Sequence, residues 1–107
     1  MYLMVGGLVG VGFDKSGAYL LTVSHSGRGV FSTTTWQKVA RDYARAYPKE
    51  GKAFGIGPIS GEEIAVAELD SDHDIAVASP DGRLLLKCTS SDIEVVEVEP
   101  KDQGACP

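Results

Sequence analysis

Short apolar runs of strand length alternate along the chain with clusters of glycine, serine, aspartate and proline, and this spacing predicts a turn-rich β protein. Met4 to Phe13, Tyr19 to Val23, Gly29 to Phe31, Ile64 to Leu69, Ile75 to Ala78, Leu84 to Cys88 and Ile93 to Val98 are the strand candidates. The segments Asp14-Lys15-Ser16-Gly17, Ser24-His25-Ser26-Gly27, Asp70 to Asp74 and Ser79-Pro80-Asp81-Gly82 separate several of them. Such residues tolerate left-handed backbone or hydrogen-bond their own main chain, so short antiparallel hairpins are expected.

Thr35 to Tyr47 breaks the rhythm. Trp36, Val39, Ala40, Tyr43, Ala44 and Tyr47 recur at helical spacing, with Gln37, Lys38, Arg41, Asp42 and Arg45 on the opposite side. A threonine among Thr33, Thr34 and Thr35 can cap the start and Pro48 stops the run, which predicts one amphipathic helix over about 35–47, packed on the sheet. The expected fold class is α+β and β-dominated: about seven antiparallel strands in two related hairpin units, plus that helix. The length of 107 residues fits one domain, taken as 1–100, followed by a flexible tail over 101–107. The predicted core is Leu20, Val23, Val30, Phe31, Trp36, Val39, Tyr43, Ile64, Val66, Ile75, Val77, Leu84, Leu86, Ile93 and Val95.

An internal similarity supports the paired units. Residues 19–28 align with 74–83, matching Ser24, Gly27 and Arg28 to Ser79, Gly82 and Arg83, and an acidic turn precedes each copy. The run from Phe13 to Ser24, followed by Gly27 to Phe31 and then Thr34-Thr35-Trp36, resembles a blade of a WD40-like β-propeller. Ser79-Pro80-Asp81-Gly82-Arg83-Leu84-Leu85 resembles the same opening. The resemblance covers about half the chain and implies a blade-like sheet and a habit of binding protein partners. It departs from the pattern in lacking a Trp-Asp dipeptide and in the helical spacing after Trp36, and two units cannot close a propeller of four to eight blades.

Composition narrows the classes. An apolar fraction of 43% with 23% charged residues describes a folding chain, and 13 glycines, concentrated at strand ends, favour turns over linkers. The apolar stretch Met1 to Phe13 has four glycines, no preceding basic residue and too little length to span a bilayer, so it is expected as a buried strand; no membrane association is expected and the cytoplasm is the expected location. Cys88 in a strand-like run and Cys106 in the tail do not suggest a disulfide. The net charge of −5 argues against nucleic acid. It hides an asymmetry: residues 1–61 hold seven Lys/Arg against three acids (+4), residues 62–107 three against twelve (−9). This layout suits either a solvated acidic surface, a basic partner, or self-association into a homo-oligomer.

Candidate chemistry is sparse. Gly55 to Gly61 and Gly6 to Gly12 lack the following helix that phosphate-binding loops require. Asp70, Asp72, Asp74 and Asp81 have calcium-loop spacing, yet Ile75 stands where glycine is needed, and His73 and His25 form no zinc pattern. Ser24, His25 and Ser26 are adjacent, so they make no catalytic dyad, and Glu62/Glu63 and Glu97/Glu99 suit solvated strands. The expectation is a protein that is not an enzyme and uses no cofactor or metal. It is read as a non-catalytic protein-interaction module, in one version a small acidic antitoxin or immunity-type binder of a basic partner through surfaces including Glu94 and Glu97. The alternative is a small-molecule binder with an aromatic pocket of Trp36, Tyr43 and Tyr47.

Overall fold

Leu20 and Leu21 are adjacent in sequence and both are fully buried, so the strand that carries them is covered on both faces. The computed structural model, which describes residues 1–44, 47–69 and 74–98, accounts for this with three stacked layers. In chain order the strands are β1 (Tyr2–Met4), β2 (Leu8–Phe13), β3 (Tyr19–Ser24), β4 (Gly27–Ser32), β5 (Lys38–Asp42), β6 (Lys52–Phe54), β7 (Glu63–Ala65), β8 (Ala67–Glu68), β9 (Ile75–Ala78), β10 (Leu84–Cys88) and β11 (Asp92–Glu97). A 3₁₀ turn, Gly57–Ile59, lies between β6 and β7.

The central layer is a five-stranded antiparallel sheet, β5-β4-β3-β2-β8. One outer layer is the four-stranded antiparallel sheet β1-β11-β10-β9, in which the N-terminal strand pairs with the last one. The other is the hairpin β6-β7 with its 3₁₀ turn. Two cores result. Leu8, Val11, Leu20 and Phe31 of the central sheet meet Leu3, Leu86, Cys88, Ile93 and Val95 of the four-stranded sheet. Leu21, Val23 and Val30, on the opposite face, meet Ala53, Ile59, Ile64 and Val66. Alternation along β3 and β4 sends successive residues to different layers, and the irregularity between Leu8 and Gly10 in β2 lets Leu8 and Val11 face the same core, so one sheet feeds both cores.

The predicted helix over 35–47 is not present. Its described residues form a turn and the edge strand β5, while Arg45 and Ala46 lie outside the described residues. The Ser32 carbonyl accepts the Trp36 N–H at 2.8 Å, the Ser32 hydroxyl accepts those of Thr34 and Thr35, and Trp36 sits at φ 59°, which interrupts any helix at the start. The open edge of β4 then offers a ladder to Lys38–Asp42, and so short a helix is marginal without packing. A register shift opposite Val30/Phe31 leaves Val39 exposed, and Tyr43 is exposed as well, so neither belongs to the core predicted for them. The rest of that core is buried or, for Trp36, Ile75, Val77 and Leu84, packed against it.

Two turns 65 residues apart share one hydrogen-bond pattern. Asp14 Oδ1 accepts the Tyr19 N–H at 3.0 Å, and Ser79 Oγ accepts the Leu84 N–H at 3.0 Å. Asp14 also receives the Ser16 hydroxyl (2.8 Å), whereas Ser79 donates to Asp81 (2.7 Å), so the acid and the hydroxyl have exchanged places. Gly17 (φ 77°) and Gly82 (φ 75°) supply the left-handed residue in each. The next turns match at the same separation: Ser24 Oγ accepts the Ser26 N–H as Thr89 Oγ1 accepts that of Ser91. The segment β2-β3-β4 therefore corresponds to β9-β10-β11, and the Ser24–Gly27 turn has its counterpart at Thr89–Asp92 instead of Ser79–Gly82.

Candidate functional site

Two surfaces combine chemistry with access. The first is a recess of about 140 Å³ between the end of β1 and the β3-β4-β5 part of the central sheet. Gly27 and Gly29 form its floor, Thr22, Ser24 and Ser26 contribute hydroxyls, and Lys38 and Arg41 line it with Met4, Val5 and Gly6. Antiparallel pairing explains the grouping, because partners across a ladder share a face: Thr22 pairs with Gly29, and Gly29 with Arg41. Thr22 Oγ1 donates to the Gly29 carbonyl (3.3 Å) and Ser24 Oγ to that of Gly27 (3.0 Å). Lys38 lies over the Phe31 ring (5.4 Å) and Arg41 over the Tyr43 ring (5.0 Å). Among the described residues neither cation has a carboxylate within ion-pair distance.

Arg28 and Asp42 also border the recess but are committed to each other. The guanidinium binds both carboxylate oxygens, at 2.7 and 3.3 Å, and its third contact is the Phe54 carbonyl at 3.1 Å. This fork holds the Asp42 carboxyl below its ordinary value, against an opposing effect of burial.

No family model, curated protein or solved structure matches this chain.

The second surface is the outer face of the four-stranded sheet. With Leu3, Ile93, Val95, Leu86 and Cys88 turned inward, the alternate residues turn outward. Tyr2, Glu94, Lys87 and Ala76 make one row across the sheet, Val96, Leu85 and Ala78 a second, and Met4 and Asp92 a third. Tyr2 is 61% and Met4 77% exposed. The face is apolar with a small excess of acid.

The five residues singled out from the sequence do not share a site. Trp36 packs against the core between the two larger sheets, Tyr43 stands in solvent under Arg41, and Tyr47 is exposed with its hydroxyl 3.2 Å from His25 Nδ1. Glu94 sits in the outer row of the four-stranded sheet, while Glu97 is exposed at the end of β11 opposite Leu84. Asp70, Asp72 and His73 of the calcium-loop spacing lie outside the described residues, as do Glu99 and the tail with Cys106. Among the described residues no three His, Cys, Asp or Glu side chains come together as metal ligands. Nor is any described helix long and apolar enough to cross a membrane. Sequence reading passed over Thr22, Gly29, Lys38 and Arg41, because they converge only when 35–47 is a strand. The signal available was the Gly27-Arg28-Gly29 run, where glycines alternate on one face of a strand.

Proposed function

We propose that the chain is a non-catalytic protein-interaction module whose contact face is the outer face of β1-β11-β10-β9. The observation that carries this reading is the 65-residue correspondence of the two meanders. Val11, Leu20 and Phe31 of the central sheet are buried beneath the four-stranded sheet, and their counterparts are Ala76, Leu85 and Val96, on its outer face. The same face of the same unit is covered in one copy and open in the other, which supports a role in stacking against another sheet. The WD40-like blade pattern belongs to this proposal and fits a sheet that stacks on sheets.

The occupant we assign is a second copy, presenting the outer side of its hairpin β6-β7. That side carries Phe54, 59% exposed, between Lys52 and Glu63, which pair at 3.7 Å. Phe54 suits the Leu85/Val96 row, while Lys52 and Glu63 can exchange partners with Glu94 and Lys87. Such a contact joins two different faces and is heterologous. Light scattering behind size exclusion, over a range of concentration and salt, tests it. Assembly that is lost in Leu85→Arg and also in Phe54→Arg supports the reading. A monomer at all concentrations refutes the second copy as occupant. If that monomer instead binds poly-lysine through Glu94 with a steep salt dependence, the face belongs to a basic partner. Binding of neither refutes the module itself.

A further inference from the structure

The recess on the central sheet differs in chemistry from its counterpart on the four-stranded sheet. Gly27 and Gly29 in β4 correspond to Asp92 and Glu94 in β11, and the strand beside them carries Arg41 opposite Gly29 where Tyr2 lies opposite Glu94. Where one copy presents two carboxylates, the other presents two glycines with two cations beside them. A Cβ at Gly29 would lie 3.2 Å from Thr22 Oγ1 and 3.5 Å from Lys38 Cε, so glycine here keeps the floor open.

From this geometry we infer that the recess binds the phosphate group of a small molecule. Lys38 and Arg41 bring two positive charges to its wall, and Arg28 offsets Asp42, the one carboxylate that lines it among the described residues, through the 2.7 Å ion pair. The exposed Ser26 hydroxyl, which donates to Ser24 Oγ at 3.1 Å, can rotate at the rim to donate to a bound anion instead. A space of about 140 Å³ equals a few water molecules at about 30 Å³ each, enough for a phosphate group with the remainder of the molecule in solvent. A phosphate monoester carries close to two negative charges at neutral pH and several acceptor oxygens, which matches two cations and a hydroxyl better than a carboxylate does. The chain as a whole carries −5, so general attraction of anions is disfavoured and uptake must come from this local arrangement. The inference is independent of the stacking face proposed above: Met4 borders both surfaces, but Lys38, Arg41, Gly27 and Gly29 belong to the recess alone.

Titration of ¹⁵N-labelled full chain with inorganic phosphate, followed by amide shifts, tests the site. Saturable shifts are expected at Thr22, Gly27, Gly29 and Lys38, with weaker shifts for acetate at equal concentration. Lys38→Met with Arg41→Met weakens phosphate at least about tenfold, and Gly29→Ala does so by filling the floor. Lys15→Met, an exposed lysine in the turn between β2 and β3, leaves it unchanged. Amide spectra that keep the parent dispersion establish that each variant is folded, and the Lys38→Met single variant serves if the double one is not. Linear shifts without saturation, equal response to acetate, or unchanged affinity in folded variants at Lys38 and Arg41 overturn the assignment.

Discussion

Arg28 reaches Asp42 across the β4-β5 ladder with both carboxylate oxygens engaged, the shorter contact being 2.7 Å, and so fastens the edge strand that replaced the expected helix. The same guanidinium holds the Phe54 carbonyl, which ties the edge strand, the central sheet and the hairpin to one side chain.

Removing it has a defined consequence. Arg28→Met should lower stability by about 1–2 kcal/mol, between the worth of an exposed ion pair and a buried one. Asp42 is held below its ordinary value of 3.8 by this hydrogen bond. A depressed carboxyl contributes stability that is present above the unfolded value and lost as pH falls through the folded one. Urea unfolding of the parent should therefore show an acid-sensitive component below about pH 4, and that component should be smaller in Arg28→Met. Equal acid sensitivity in the two proteins would mean that Asp42 is not held by Arg28.

Gly27 and Gly82 both have positive φ, yet their substitution should cost very different amounts. At Gly27 (φ 136°) a Cβ would overlap the Asp42 carbonyl oxygen and come within 2.8 Å of Tyr43 Cα, both backbone atoms that cannot swing aside. Gly27→Ala should cost about 3 kcal/mol or more, combining strain and overpacking. At Gly82 (φ 75°) nothing lies within 4 Å, so only the left-handed backbone opposes alanine, at about 1 kcal/mol. Chemical denaturation of both variants checks the order. Similar losses would show that chain 42–43 does not cross over Gly27.

How much of this was legible in the sequence depends on where the information resides. Ile75 to Ala78 and Leu84 to Cys88 carry a strand signal in their own residues and have the predicted bounds. Ser79-Pro80-Asp81-Gly82 declares its turn, and the alternation of Ile93 and Val95 declares its face. The segment 35–47 does not, because its apolar residues satisfy a 3.6-residue period while the Ser32 side chain and the free edge of β4 decide for a strand. Met1 to Phe13 reads as one buried strand because Gly6-Gly7 lies inside an apolar run, yet it divides into β1, paired to the last strand, and β2. That pairing joins residues some ninety positions apart, as Leu3 and Ile93 are, and no local pattern can announce it. The basic recess was hidden for the same reason, being assembled by a strand read as a helix.

The two readings of 35–47 also separate by mutation. In the structure Leu86 is fully buried between the sheets and Val39 is 46% exposed on the shifted edge. Leu86→Ala should cost about 2–5 kcal/mol as a core truncation, and Val39→Ala should stay within about 0.5 kcal/mol. If Val39 instead lay on the apolar side of a packed helix, its truncation would cost as a core residue does. Denaturant midpoints at unchanged slope distinguish the cases.

Cys88 supplies the last test, since its thiol is fully buried in the core between the two larger sheets. Burial, with a smaller effect from the Asp92 charge, raises it from 9.0 to about 11. The neutral thiol is therefore favoured by the fold. Its contribution to stability is fully present below the unfolded value and is lost as pH rises through the folded one, a window from about pH 9 to 11. In a Cys106→Ser background, native protein at pH 8 should resist a thiol reagent over hours while the urea-unfolded chain reacts at once. Raising the pH towards 11 should both speed labelling and lower the urea midpoint, and Cys88→Ala should remove the labelling and flatten that alkaline loss. Prompt labelling of folded protein at pH 8 would place the thiol at the surface and contradict the packing of β10 against the central sheet.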